Sequence, residues 1–475
     1  MVMDMQWTVY VQKEGCAERV ALNTFGRPLK SATASDFGLS MLEGRELLRT
    51  LQSVVAQDQI VAYDIQRRHC RHCGTYRQIK DWRPRVFMTA LGEVRVRVPR
   101  VVSCLCTDEP LDDDDEPVAN IRDSECPIAG LLPRRKTPEL AYLCAKHGAT
   151  SSYRTAASNV SAIAGIPALS HTTIRRETIA RGQQIEDDQF STGWYAGGGN
   201  RHAAQHLRVA IDGTVLSAAP WQEITKFEVI AGRVECDGQM GRRFVCALPS
   251  RMLAESLVAA ALEQSGWSPS TLVDVVTDGA RGMRALVTSV APRVAPMILD
   301  WFHLSMKLQA VKSPLFSQSY DFAARPEFMI RCQRLWSKIR DALWRGRGDE
   351  AMEMTRTLIA SLAEELASLP PFYRRCAEIA HGSAKMLLAF LKNNRKDLVD
   401  YQGARMSGRR ISSASAESVM NHVVNRRMSK RQQMRWSLKG AHCLLQTRVE
   451  LLDGRLEAHF AKHFPHFRSP ECGRT

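Results

Sequence analysis

The sequence predicts a multidomain α/β protein: a mixed sheet interrupted by a long all-helical stretch, with smaller modules in front of it. Three observations carry that expectation. The 475 residues exceed what one hydrophobic core organises, so several domains are expected. From residue 206, short strand-forming runs come in the order strand, strand, strand, helix, strand, helix, strand, and residues 302–400 then show helical spacing throughout. Paired cysteines bracket two alternating stretches, the pattern of a small metal-stapled module.

Residues 43–57, EGRELLRTLQSVVAQ, read as one amphipathic helix within an N-terminal helical region, 1–60. A zinc ribbon, 61–107, contains HCRHCG (69–74), two strands within RVFMTALGEVRVRVPR (85–100), and CLC (104–106). An acidic linker, 108–136, carries the solvated charge run DEPLDDDDEP. Residues 137–192 hold three helical pieces, each starting near a Ser or Thr cap and separated by glycines. A glycine-rich linker follows, 193–205. Residues 206–303 form the first part of a core. Its strands fall near 207–212, 225–230 and 242–248, and a helix covers 250–266. A strand then ends at Asp278, a helix lies near 280–290, and a last strand ends at Asp300. Residues 304–412 are an all-α insertion closed by the basic loop GARMSGRRISSAS, and 413–475 return to the core and end in a basic tail.

Net charge is +15, with a pI near 9.4. The surplus is uneven: residues 401–475 hold 14 Lys and Arg against 5 Asp and Glu. Such a balance points to a polyanionic partner, DNA, RNA or an anionic membrane surface. No apolar run approaches the roughly 18–20 residues that span a bilayer, and MVMDMQWTVYVQKEG lacks the apolar length of a signal peptide. A cytoplasmic protein is expected. Thirteen cysteines without a secretory signal suit a reducing compartment, with some thiols on metal and the rest buried.

Cys70 and Cys73 form a CxxC, and Cys104 and Cys106 form a CxC, with the two strands between them. Zinc takes four thiolates in a tetrahedron, two from each tight turn, so one structural Zn²⁺ is expected. His69 and His72 are competing ligands, and four free thiols on a hairpin are the plainer alternative. The three helices of 137–192 have the layout of a helix-turn-helix. Thr172, Thr173, Arg175 and Arg176 give the third one the character of a groove-reading helix, although a plain three-helix bundle with a solvated basic face fits the same residues.

LRVAIDGTVL (207–216), LVDVVTDG (272–279) and APMILDWFH (295–303) each deliver an apolar run into an aspartate. Asp-Gly is common turn chemistry, and that is the plain account. The strand order, however, is that of an RNase H-like fold, whose first and fourth strands lie side by side. Asp212 and Asp278 would then meet, and reactive groups gather at strand ends in α/β sheets. Two carboxylates at that range repel unless a cation joins them. Mg²⁺ favours a few carboxylates plus waters and substrate phosphates. Glu417 supplies a third acid, although an ordinary first-turn helix acid is the plainer account of it. Met420, Val424 and Met428 follow it at three- and four-residue steps, which places it on the apolar stripe of helix 416–428, where a lone carboxylate is costly.

Together these residues resemble a DDE-class insertion-sequence transposase, of the ISKra group and its Mutator-like relatives. The resemblance rests on VAIDGT (209–214), VVTDGARGM (275–283), ILDWFH (298–303), LWRGR (343–347) and the block from Glu417 to Arg448. It implies a DNA transposase in which Asp212, Asp278 and Glu417 hold two Mg²⁺ (or Mn²⁺) ions, about 3.5–4 Å apart in such centres, for strand cleavage and 3′-hydroxyl transfer. It implies Asp300 and His303 as supporting residues, beside the plain alternative that Asp300 caps helix 302–311 and His303 packs locally. DNA partners would be the terminal inverted repeats and the target, met by a homodimer or larger assembly at the nucleoid of a bacterial cell. The basic tail, with Arg426, Arg427, Lys430, Arg431, Arg435 and Lys439 around Trp436, would grip phosphates and stack a base, although a core aromatic of a C-terminal helix pair is the plainer account of Trp436. Three alternatives remain open: a transposase-derived sequence-specific DNA-binding protein without catalysis, another RNase H-fold nuclease, or a zinc-ribbon RNA-binding factor.

Overall fold

The computed structural model describes residues 5–28, 33–70, 72–104, 106, 124–130, 135–166, 168–190, 203–236, 239–279, 281–291, 293–294, 297–316, 326–368, 374–412, 414–428 and 434–468. Most of the expected acidic and glycine-rich linkers, with Lys430 and Arg431, lie outside them. The chain forms a mixed α/β structure in two compact units, Met1–Thr178 with Leu456–Thr475, and Ile179–Arg455.

The first unit opens on a β-hairpin where only helix was expected. Strand β1 (Met5–Gln12) pairs antiparallel with β2 (Arg19–Arg27), through a turn that uses Gly15 at φ 80°. The period-two spacing of Trp7, Val9 and Val11 is its sequence signal. Helix α1 runs from Met41 to Arg67, twelve residues longer than read from the sequence, and is started by a capping box of Ser40 and Glu43. The long hairpin of β3 (Ile79–Thr89) and β4 (Gly92–Val102) is extended by the short β5 (Ser124–Glu125). Strand β4 alternates as a half-buried strand should. Val94, Val96 and Val98 pack on Ile60 of α1, while Arg95 and Arg97 face out. Helices α2 (Pro138–Thr150), α3 (Tyr153–Ala164) and α4 (His171–Phe190) fall where the caps place them, and Gly165 ends α3 in the left-handed conformation.

In the second unit five strands line up in the order β10-β9-β6-β7-β8. They are β6 (His206–Ser217), β7 (Lys226–Cys236), β8 (Gln239–Cys246), β9 (Leu272–Thr277) and β10 (Ile298–Leu299). Strands β6, β7 and β8 form an antiparallel meander, and β9 joins β6 in parallel, from His206 opposite Leu272 to Ile211 opposite Thr277. Both faces of the sheet are covered. Leu207, Val209 and Ile211 pack under Leu257, Val258 and Ala261 of α5 (Arg251–Gln264), and Met283 and Leu286 of α6 (Arg281–Thr288) join them. Val276 and Ile298 belong instead to the core of the helical insertion. That insertion comprises α7 (Trp301–Leu315) and the helices Pro326–Trp344, Gly348–Ser368 and Arg375–Asn393, with the short Tyr401–Met406 closing it.

Two sequence readings change here. Asp212 does not end its strand: β6 continues to Ser217, because Gly213 to Ser217 keep pairing with β7. The final helical block is also not one α-helix. Ala414–Val419 is α-helical, Met420–Asn425 is π-helical, and Arg426–Met428 is α-helical again.

Within the second unit, which takes α4 from Ile179 onward, helix Leu438–Leu452 lies against Gly182, where a Cβ would sit 1.8 Å from the Cys443 carbonyl oxygen. A backbone atom cannot swing aside. Gly182→Ala should therefore destabilise the protein by about 2 kcal/mol or more, although alanine alone favours a helix by about 1 kcal/mol. Chemical denaturation of the two proteins measures the difference.

Candidate functional site

In the first unit, Cys70 and Cys73 sit on the turn before β3, and Cys104 and Cys106 follow β4. Gly74, at φ 74°, lets the chain turn back after the first pair. The Cys70 and Cys106 sulfurs are 3.5 Å apart, those of Cys73 and Cys104 3.2 Å, and the four Sγ atoms all lie within 4.8 Å of one another. This four-thiol cluster could hold a zinc ion. Hydrogen bonding from the Thr75 hydroxyl and backbone lowers the Cys73 thiol to about 6. The Cys73 and His72 amides lower Cys70. Both directions favour the thiolate that a metal binds, whereas the sulfurs of Cys104, Cys73 and Cys70 raise the Cys106 thiol. His69 is not in the cluster: it bridges to Tyr76, with the rings edge to face at 5.1 Å. His72 enters only through its backbone amide, 3.4 Å from the Cys70 sulfur.

In the second unit the acids converge through the sheet. Ile211 is opposite Thr277, so Asp212 and Asp278 follow on adjacent parallel strands. Both are half-buried. The two Asp-Gly pairs turn out to be different objects. Gly279 is a turn glycine at φ 92°, and a Cβ there would meet the Asn394 Oδ1 at 2.5 Å. Gly213 is extended within β6, and its missing side chain leaves room for the Met283 methyl, 2.9 Å from where a Cβ would stand. The Asp212 carboxyl is raised above the ordinary aspartate value, first by burial and then by the negative charges of Asp278 and Glu417. The Gly213 amide, bonding Asp212 Oδ1 at 2.8 Å, and the positive charge of His303 oppose that rise. Among the described residues, the three acids do not form a set whose oxygens all lie within 4.8 Å of one another. Glu417 also departs from the stripe reading. Met420, Val424 and Met428 are buried, whereas Glu417 is exposed, because the π-helical turn after it breaks the 3.6-residue period.

Asp300 is wholly buried at the end of β10. It caps α7 by accepting from the Phe302 amide at 2.8 Å, and its other oxygen meets His303 Nδ1 at 2.7 Å. This bond raises His303 above the usual histidine value, against the opposing effect of burial, and the charges of Asp278 and Asp212 add to the rise. Sequence reading missed a second polar station on the same strands. Asp274, in the middle of β9 and buried, accepts from Arg409 at 2.8 Å and from His206 at 2.9 Å, and Arg410 pairs with Glu235 at 2.7 Å. A charged residue inside the apolar run LVDVVT is the signal that could have found it.

The expected DNA-contacting residues divide by exposure. Thr172, Arg175, Arg176, Arg426, Arg435 and Lys439 are exposed and Thr173 half-buried; Ser170 caps α4 beneath the threonines. Trp436 is not a surface aromatic: it is 5 % exposed, bridges into the end of β6 through Ser217 and Ala219, and lies under the Arg427 guanidinium at 5.3 Å. Base stacking on Trp436 is thereby excluded, and Arg427, itself buried, packs against an indole instead of reaching for phosphate.

Comparison with family models and with curated proteins finds no match for this chain. No helix among the described residues is long and apolar enough to cross a membrane.

Natively purified protein should carry close to one zinc per chain by elemental analysis, and Cys73→Ser should lose most of it while the second unit stays folded. For the Asp300–His303 pair, Asp300→Asn should bring His303 back toward 6.5, as read by NMR titration of the ring carbons. Because the folded value is raised, the stabilisation from this pair is fully present below about 6.5 and fades as pH rises through the folded value. The stability gap between wild type and Asp300→Asn should narrow in the same direction.

Proposed function

We propose that the chain is a DNA transposase of the DDE class, with an RNase H-like core and with Asp212, Asp278 and Glu417 as its catalytic acids. The observation that carries this reading is electrostatic convergence. The charges of Asp278 and Glu417, from distant parts of the sequence, both raise the Asp212 carboxyl, and Asp212 and Asp278 in turn help to raise the neighbouring His303. The sheet order β10-β9-β6-β7-β8 and the long helical insertion before Glu417 support the same reading.

Hard carboxylate oxygens suit Mg²⁺ or Mn²⁺, so Asp212, Asp278 and Glu417 are the residues to hold these ions. Such a centre, when loaded, activates a water or a DNA 3′-hydroxyl and stabilises the leaving oxygen at phosphorus. The chain's own residues prepare the place. Strands β6 and β9 fix two of the acids, so little is left to order when DNA arrives. Asp300, bonded to His303 Nδ1, orients the ring beside the aspartates and raises its affinity for a proton, and a protonated ring moderates their repulsion. The exposed Arg175 and Arg176 of α4, with Arg426, Arg435 and Lys439, supply cations for phosphates. The four-cysteine module, with zinc, stiffens the hairpin of the first unit.

Asp212→Asn, Asp278→Asn and Glu417→Gln should each abolish Mg²⁺-dependent cleavage and strand transfer on DNA carrying the element's ends, and leave salt-sensitive DNA binding in place. Wild-type-like cleavage by Asp212→Asn would return the aspartates to plain strand residues. Binding without cleavage by the wild type would favour a non-catalytic DNA-binding protein. Stability gives a second check. A carboxyl raised in the folded state costs stability above its folded value, and the cost disappears as pH falls through that value to the unfolded one. Without divalent ions, Asp212→Asn should melt higher than wild type at neutral pH, and the difference should shrink on acidification.

A further inference from the structure

Beside Asp300 and His303 the second unit carries an open groove of about 560 Å³. Its walls are Trp301, Phe302 and Ser305 from the first turns of α7 on one side, and Arg405, Arg409 and Arg410 on the other. The Trp301 amide bonds the Ile411 carbonyl at 2.9 Å, so the two walls are stitched together at the base. Phe302 is 43 % exposed although it is aromatic and adjoins buried structure. Arg405 is exposed and makes no ion pair among the described residues. Arg410 gives one guanidinium nitrogen to Glu235, and its side chain is still half exposed. Arg409 is anchored on the buried Asp274, which fixes the loop.

We propose that this groove binds an unpaired nucleotide segment of a DNA strand, with a base on the Phe302 ring and phosphates on Arg405 and Arg410. The inference rests on the reading of the adjoining acids as a site acting on DNA. A protein segment of ordinary composition has no need of three guanidiniums around one phenyl ring. A nucleic-acid strand offers a flat π-face and a phosphate at each step, and the two wall types match that alternation. Phe302 and His303 are consecutive, with the Phe302 amide and the His303 ring both on Asp300, so a strand in the groove adjoins the candidate site. The position also accounts for an exposed aromatic and exposed arginine that no fold contact requires.

The test measures binding of the full-length protein to two fluorescent DNAs without divalent ions: a blunt duplex, and the same duplex with a four-nucleotide single-stranded overhang. Wild type should prefer the overhang by about tenfold, as expected for one stacked base. Phe302→Ala should lose the preference, and Phe302→Trp should keep it. Arg405→Gln should weaken overhang binding and reduce its salt dependence by close to one phosphate contact. Both positions are exposed, so the fold should survive these changes. The proposal is overturned if wild type shows no overhang preference, or if Phe302→Ala and Arg405→Gln bind both DNAs as wild type does. Asp212→Asn separates the two readings, because it should keep the overhang preference while losing cleavage. A preference that depends on Phe302 in a protein that cleaves nothing upholds the groove and defeats the catalytic reading. Cleavage by wild type with no effect of Phe302→Ala on overhang preference does the reverse.

Discussion

The parallel pairing of β6 with β9 is the contact on which the second unit depends. Parallel strands are ordinarily buried on both faces, and here the α5–α6 layer covers one face while the insertion core takes Val276 and Ile298 on the other. That burial fixes the register, because a slip of one residue would turn Val273 and Val275 out of their core. With the register fixed, Asp212 and Asp278 are brought onto neighbouring strands. Their repulsion is imposed by the apolar packing beneath them, and it raises Asp212 together with burial. The stability of the core is what keeps two like charges close.

A long helical insertion could leave its point of attachment loose, and the structure shows how this one is tied. Trp301, at the start of α7, has ring contacts at 4.8 Å with both Trp344 and Tyr401, from the middle and the end of the insertion. The Tyr401 hydroxyl donates to the Leu299 carbonyl of β10 at 2.9 Å. Gly346, at φ 72°, lets the chain pass close to the Asp400 backbone. Arg409 then ends the insertion on the buried carboxylate of β9. Entry and exit of about a hundred residues of helix are thus fastened to the two strands that also carry Asp278 and Asp300.

Much of this was legible in the sequence because it depends on local pattern. The valine alternation of β4, the Ser and Thr caps of α2 to α4, the paired cysteines and the apolar runs ending in aspartate are all short-range signals. The alternation of Trp7, Val9 and Val11 does mark the hairpin of β1 and β2, but it is a short run, and its strands are nearly all exposed, so no longer apolar pattern accompanies it. The choice between a stacking and a core role for Trp436 stayed open in the sequence for a related reason. A basic, aromatic stretch looks like a nucleic-acid grip, but whether the indole faces DNA or the sheet is decided by Ser217 and Ala219, more than two hundred residues earlier. The pairing of Asp274 with His206 and Arg409 is likewise a product of topology, and a lone acid in a strand does not name its partners.

The exposure of Glu417 follows from the helix that carries it. A regular α-helix through Met420, Val424 and Met428 would turn Glu417 toward the same apolar face. Instead the turn widens over Met420–Asn425, and the wider turn leaves carbonyls without their usual helical donors. Arg448, buried on the neighbouring helix, supplies donors: its Nε lies 3.0 Å from the His422 carbonyl and 2.8 Å from that of Val423. Burial, with Arg427 and Arg426 close by, lowers this guanidinium to about 10, so holding it there is costly and the bonds to those carbonyls help to offset the cost. The π turn and Arg448 therefore stabilise each other. Their joint effect is to keep three apolar side chains in the core while the carboxylate at the helix start stays in solvent, within reach of the charge on Asp212. A straight α-helix could satisfy one of these demands but not both.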